Sequence, residues 1–312
     1  MYMEKYYPGF EKKFIEVEEG IKIHTVVGGE GEEAILFLHG HPENYLIWRF
    51  LVPQLKDRYK IVMTDLRGYG ESSKPRGLED HSNYSKRVMA KDQVEVMRQL
   101  GYEKFHVVSH DRGSRVAHRL VLDNEEKITS CTMMDILPTD DMYDETNSEF
   151  ATKYWHWFFY IQPGDFPEVL LAKDPKKFIE FNLTRKIGPT ARENFSEDIL
   201  EEYTRHFANP QTIHGICEDY KASASIDRLH NDVDRNKKID IPMLVLWGEN
   251  GVVGNIWDVL SGWEVTCTNL EGAPIPNCGH FVPEEQPETV MNYLEGFLNK
   301  HSLTNILIKT KN

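Results

Sequence analysis

Short, strongly apolar runs recur along this chain: "AILFL" at Ala34–Leu38, "KIVMT" at Lys60–Thr64, "FHVV" at Phe105–Val108, "CTMM" at Cys131–Met134 and "PMLVLW" at Pro242–Trp247. Runs of this kind suit strands buried on both faces, and such strands belong to parallel sheets covered by helices. The segments between them fit. "SKRVMAKDQVEVMRQLG" has helical spacing and stops at Gly101, "SRVAHRLVLDNEE" reads as a second helix, and "IWRFLVPQL" also suits one. Upstream, "KFIEVEEGIKIHTVVGGEGEEAILFLHG" reads as strands separated by turns. The alternation of strand and helix implies an α/β fold with a mostly parallel central sheet flanked by helices.

From about Pro138 to Asp240 the pattern changes to aromatic-rich, short helical segments without clear strands. "PMLVLWG" then returns to a buried strand, "EVTCTNLEG" reads as the last strand and "PETVMNYLEGFLN" as the final helix. The expectation is a core domain, residues 1–137 and 241–312, with an inserted helical cap domain, residues 138–240. The tail, residues 300–312, reads as a helix extension or a disordered end.

A chain of 312 residues suits one large domain carrying an insertion. Its 40% hydrophobic and 28% charged residues are those of a soluble globule. The net charge of -14 repels nucleic acid and anionic membranes, so neither is expected as a partner. A small anionic substrate would need a local cationic pocket. No apolar run approaches the roughly 18 residues of a membrane span, and "MYMEKYYPGFEKKF" has no signal-peptide core. Cys131, Cys217, Cys267 and Cys278 form no CxxC pair and match no zinc spacing. The glycine-rich "GGEGE" lacks the setting of a phosphate loop. The reading is a cytoplasmic protein with free thiols, no metal and no cofactor; His39, His41 and His110 are explained by strand ends and turns.

One turn carries more chemistry than a turn requires. Ser109-His110-Asp111-Arg112-Gly113 has the form small-x-nucleophile-x-Gly between strand and helix, the frame of a nucleophile elbow with an aspartate at its tip. An aspartate in a turn is by itself most often a cap or an Asx-turn. Two further motifs shift that reading. "LFLHGHPEN" places His39-Gly40 at the end of a buried strand, where backbone N–H groups can form an oxyanion hole. "NCGHFVPEEQPE" places His280 between the last strand and the last helix. Nucleophile, then acid, then histidine is the chain order of α/β-hydrolases.

With "HGHPEN", "SHDRGSRVAHRL", "MDILPT", "YWHWFF", "HFANPQTIHGICEDYKASASID", "GENGVVGNIWDVL" and "GHFVPEEQP" in order, the chain resembles the fluoroacetate (haloacetate) dehalogenases of the α/β-hydrolase superfamily, from "YPGF" at Tyr7–Phe10 to about residue 298. The resemblance implies hydrolytic dehalogenation of a small haloacid. Asp111 would displace halide from a saturated carbon and leave an ester, which His280-activated water would cleave. Serine there would leave an ether that water does not readily open. The backbone N–H groups of His41 and Arg112 would form the oxyanion hole, and His156, Trp157 and Tyr220 would cradle the halide. Arg112 and Arg115, three residues apart at a helix start, would clamp the substrate carboxylate.

Two placements compete for the acid that orients His280. Glu249 and Asp258 follow the strand "PMLVLWG", whereas Asp135 ends the apolar run "CTMM". The resemblance and that abrupt position favour Asp135. It also implies a homodimer. An epoxide hydrolase with the same nucleophile and donors among Tyr154, Tyr160 and Tyr220 is the alternative, and a non-catalytic receptor on this fold a third reading. The arginine pair argues against the former, since a neutral epoxide gains nothing from a carboxylate clamp. The intact set Asp111, Asp135 and His280 argues against the latter.

Overall fold

A computed structural model describes residues 2–188 and 192–302 of the chain. Eight strands, β1 (Glu11–Glu18), β2 (Ile21–Gly28), β3 (Ala34–Leu38), β4 (Lys60–Thr64), β5 (Phe105–His110), β6 (Ile128–Met134), β7 (Met243–Gly248) and β8 (Leu270–Ile275), form one sheet. Their order is β1-β2-β4-β3-β5-β6-β7-β8. The β1–β2 and β2–β4 pairs are antiparallel and the rest of the sheet is parallel. The expected α/β architecture with a mostly parallel sheet is therefore the observed one.

The apolar runs account for the centre of this sheet. Every residue of β3, β5 and β6 is buried. Each fully buried Leu, Ile or Val there contributes roughly 1.5–3 kcal/mol relative to exposure. The helix Asp111–Asn124 packs on β5 and β6 through Val116, Ala117, Leu120 and Val121, one helical stripe. The four cysteines are unpaired and buried.

Between β6 and β7 the chain makes eight α-helices among the described residues, from Thr139–Asp144 to Ile226–Asp234, and no strand. β6 and β7 are nonetheless parallel neighbours, in register from Cys131 with Met243 to Met134 with Leu246. The insertion thus leaves and re-enters the sheet without interrupting it. No described helix is long and apolar enough to cross a membrane.

Local structure departs from expectation at two places. "IWRFLVPQL" is not one helix but a 3-10 turn, Tyr45–Trp48, and a short helix, Val52–Leu55. Pro53 lacks an N–H and is accommodated in the first turn of a new helix rather than inside a longer one. The last strand is Leu270–Ile275, not residues 264–272. Glu264 ends the helix Val259–Glu264, and Cys267 makes only an isolated bridge to Ile239. The alternation of "EVTCT" imitates a strand, while Pro274 disguises the real one. As β8 is an edge strand, it tolerates a residue without a backbone donor. The final helix, Pro287–Lys300, is as expected. The expectation for the tail falls, from residue 303 on, outside the described residues.

Candidate active site

Asp111 stands at the junction of β5 and the helix Asp111–Asn124, with a φ of 45°, in the left-handed region that L-residues rarely adopt. The turn is held by close backbone approach. A Cβ on Gly113 would lie 2.2 Å from the Leu38 carbonyl oxygen, and one on Gly40 would lie 2.6 Å from the Asp111 Cβ. Both glycines are therefore dictated by the tightness of the turn. Ser109, where such a turn commonly has glycine, fits because its hydroxyl is absorbed: it donates to the Thr132 carbonyl at 2.9 Å and accepts from the Ser114 hydroxyl at 3.0 Å.

The β3 end meets this turn. The His41 backbone N–H donates to Asp111 Oδ1 at 2.9 Å. Burial opposes ionisation of Asp111, but the charges of His280, His110, Lys186 and Arg112 outweigh it and hold the carboxyl well below the usual range. His280 Nε2 lies 3.8 Å from Asp111 Oδ2, and its Nδ1 lies 2.6 Å from Asp135 Oδ2. The other Asp135 oxygen accepts from the Gly248 N–H at 3.1 Å. Asp111, His280 and Asp135 are thus brought into one chain of contacts. Glu249 accepts from the Asn277 N–H, and Asp258 caps the helix Val259–Glu264 through the Ser261 N–H, so each is engaged elsewhere. His39 is also occupied, bonded to the Gly40 carbonyl and to the Leu66 N–H.

The two arginines are buried in the first turns of the same helix. Arg112 donates from Nε to Asp219 Oδ2 at 2.7 Å and from Nη2 to Ser223 and the Asp219 carbonyl, while Nη1 has no partner. Asp219 is shared with Lys86 and Tyr69. Burial works against the Arg112 charge, yet Asp219 keeps its pKa above the ordinary value. Arg115 differs. It donates to Thr139 and the Leu137 carbonyl and contacts the Met142 sulfur, with no carboxylate partner among the described residues and with Nε unpartnered. Burial and the neighbouring Arg112 charge lower its pKa to about 10, so it remains a cation at neutral pH.

The inserted helices bring His156, Trp157 and Tyr220 over these arginines. The Tyr220 ring lies 6.1 Å from those of both His156 and Trp157, between centroids. The Arg112 guanidinium stands 4.0 Å from the Tyr220 centroid and that of Arg115 4.6 Å from the Trp157 centroid, both within cation–π range. Trp157 Nε1 and His156 Nδ1 are buried without hydrogen-bond partners. A buried polar group without a partner costs free energy unless a ligand satisfies it.

Two residues in the site, Glu43 and Lys186, escaped the sequence reading, and two tyrosines that it offered only as epoxide donors take other partners. Glu43 forms an ion pair at 3.8 Å with His110, whose pKa is pushed up to about 9 by Glu43 against burial. The Tyr154 hydroxyl lies 3.2 Å from His280 Nδ1, and that of Tyr160 lies 3.0 Å from His41 Nε2. Lys186 is buried beside His156. Glu43 stands inside the motif "HGHPEN", which was the available signal; nothing local marks Lys186.

Residues 33–287 match the family model of the α/β hydrolase fold. The chain is 40% identical to a fluoroacetate dehalogenase of Burkholderia sp over 94% of this chain and 95% of that protein. It is 32% identical to a soluble epoxide hydrolase of Corynebacterium sp. (strain C12) over 88% of this chain and 92% of the other. Among solved structures, an α/β hydrolase of Nostoc sp PCC 7120 superposes with a TM-score of 0.90 at 45% identity, covering 93% of this chain and 98% of that one.

Proposed function

The chain belongs to the fluoroacetate dehalogenase family of the α/β hydrolases, and we propose that it hydrolyses haloacetates to glycolate and halide. Asp111 attacks the α-carbon in line with the departing halide, forming a carbon–oxygen bond as the carbon–halogen bond breaks with its electron pair on the halide. His280 then takes a proton from water, which attacks the carbonyl of the ester. Asp135, bonded to Nδ1, holds the imidazole so that Nε2 faces that water. The His41 and Arg112 backbone N–H groups stabilise the oxyanion of this second step. The His41 amide already holds Asp111 Oδ1, which supports that assignment.

One observation carries the choice of substrate. Among the described residues Arg115 is a buried cation without a carboxylate partner, beside Arg112 with one free guanidinium nitrogen, at the helix that begins with the nucleophile. Burying an uncompensated charge costs several kcal/mol. A substrate carboxylate supplies the missing partner and places its α-carbon against Asp111. His156, Trp157 and Tyr220 receive the halide, the first two through N–H groups that are otherwise unpartnered. The inserted helices, residues 138–240, act as a cap domain over a core of residues 1–137 and 241–312. A homodimer remains part of this reading on the strength of the resemblance, and a cytoplasmic location on that of the four unpaired cysteines.

The similarity to an epoxide hydrolase supports a second reading, in which a cap tyrosine protonates an epoxide oxygen. Tyr154 and Tyr160 lie in the site but touch His280 and His41. A halide-release assay on fluoro-, chloro- and bromoacetate, with styrene oxide as the control, decides between them. Halide and glycolate from at least one haloacetate are expected. Diol formation from the epoxide with no halide from any haloacetate would transfer the assignment to the second reading.

A further inference from the structure

Lys186 is the last residue of the helix Pro175–Lys186, and it is buried. Its backbone carbonyl accepts from the His280 N–H at 3.0 Å, which pins the residue to the loop of the catalytic histidine. Its ammonium lies 3.3 Å from His156 Nε2 and 5.1 Å from the centroid of the Tyr154 ring. No carboxylate among the described residues comes within ion-pair distance of it. A lysine at a helix C-terminus is ordinarily explained by the helix dipole and by solvent; this one points inward, to a place where a lone ammonium is costly.

We propose that Lys186 is a positioning residue of the leaving-group pocket: it fixes His156 as an Nδ1–H donor toward the departing halide and sets a positive charge behind that donor. This rests on the haloacetate reading above. The ammonium has only hydrogens to give, so His156 Nε2 must accept, and the single ring proton then sits on Nδ1. Nδ1 is the buried nitrogen left without a partner, as is Trp157 Nε1 beside it. Burial, and then the Lys186 charge, hold the His156 imidazole well below its usual pKa, so the ring stays neutral and able to accept. Burial lowers the Lys186 pKa to about 8, with Asp111 working to raise it, so at neutral pH the ammonium is largely charged.

The charges also balance. Two anions meet in the substrate complex, the Asp111 carboxylate and the substrate carboxylate. Two buried cations of the site lack an ion-pair partner among the described residues, Arg115 and Lys186, while Arg185 beside them is only half-buried. During displacement Asp111 loses its charge to the ester bond and the halide gains it. Lys186 keeps its proton throughout, so it follows that movement electrostatically and not by proton transfer. Because fluoride is the poorest leaving group of the series, a donor aimed at developing charge matters most for it.

The test compares wild type with Lys186→Met and Lys186→Arg on fluoro-, chloro- and bromoacetate, and adds His156→Asn alone and combined with Lys186→Met. Lys186→Met should lower kcat on the halide hardest to expel, among those the wild type accepts, by about 10²-fold, the size typical of losing one preorganised donor. The loss on bromoacetate should be smaller by about tenfold or more, and Lys186→Arg should recover much of the selective loss. In the His156→Asn background the lysine change should add little, since one acts through the other. Equal loss on all halides, or full additivity of the two changes, would overturn the assignment. Lys186→Gln, with a polar end of similar reach, serves in the same comparison should the methionine variant not fold. If wild type releases no halide from any haloacetate, the haloacetate reading itself has failed, and the two failures are distinct.

Discussion

Asp219 grips Arg112 at Nε, 2.7 Å away, and leaves its buried Nη1 without a partner. The same carboxylate holds Lys86 and Tyr69, so one buried anion organises three donors. Asp219→Asn removes that charge, leaves the buried Arg112 without a carboxylate and leaves Lys86 with Asp227 alone, 3.5 Å away. A stability loss of about 3–5 kcal/mol is expected, the range for breaking a buried ion pair. Urea unfolding measures it, and KM for chloroacetate should rise in the same variant as Arg112 loses its orientation. Wild-type stability with unchanged KM would show that Asp219 does not set the clamp.

Asp135→Asn keeps the shape of the acid and removes its charge. With Nδ1 no longer facing a carboxylate at 2.6 Å, the His280 ring loses the partner that fixes its tautomer. Halide release in the first turnover should persist, because Asp111 does not need His280 to attack. Steady-state turnover should fall by about 10²–10⁴-fold, as deacylation depends on the oriented base. Rapid-quench measurement of halide therefore predicts a burst followed by a slow phase. Loss of the burst itself would assign Asp135 to the first step.

Stability should vary with pH through His110 and Glu43. Glu43 raises the folded-state pKa of His110 to about 9, above the unfolded value of about 6.5. The folded state then binds the proton more tightly, so this contribution is complete below about pH 6.5 and is lost as pH rises through about 9. His41, His118 and His156, held below their usual value by burial, act below about pH 6.5; Lys186 acts above about pH 8. Glu284, held up to about 7 by burial against the pull of Arg49, also titrates between them, so the part of that interval above about pH 7 reads His110. Urea midpoints should fall across it in wild type and flatten in Glu43→Gln. An equal slope in both proteins would remove Glu43 as the cause.

What the sequence revealed follows from how local each signal is. β3, β5 and β6 were legible because buried parallel strands are nearly unbroken apolar runs. Asp111, Asp135 and His280 were legible because each ends a strand or opens a loop beside one, where the chain itself marks the place. The shifted β8 was not, because Pro274 lowers strand propensity and only its edge position reveals why it is tolerated. The partners of the site residues were also hidden. Asp219 reaches Arg112 and Lys186 reaches His156 only after the inserted helices fold over the sheet. In one dimension Lys186 is an ordinary helix end, and only tertiary packing turns it into a buried charge.

The central claim is that Asp111 becomes esterified, and a single turnover in water enriched in heavy oxygen tests it most directly. With enzyme in excess over chloroacetate, the account predicts that the heavy atom enters the Asp111 carboxylate and that the glycolate carries ordinary oxygen. Peptide mass analysis reads the first and product mass analysis the second. Heavy oxygen in the first glycolate released, with none in the Asp111 peptide, would mean that water attacks the substrate directly and would contradict the account.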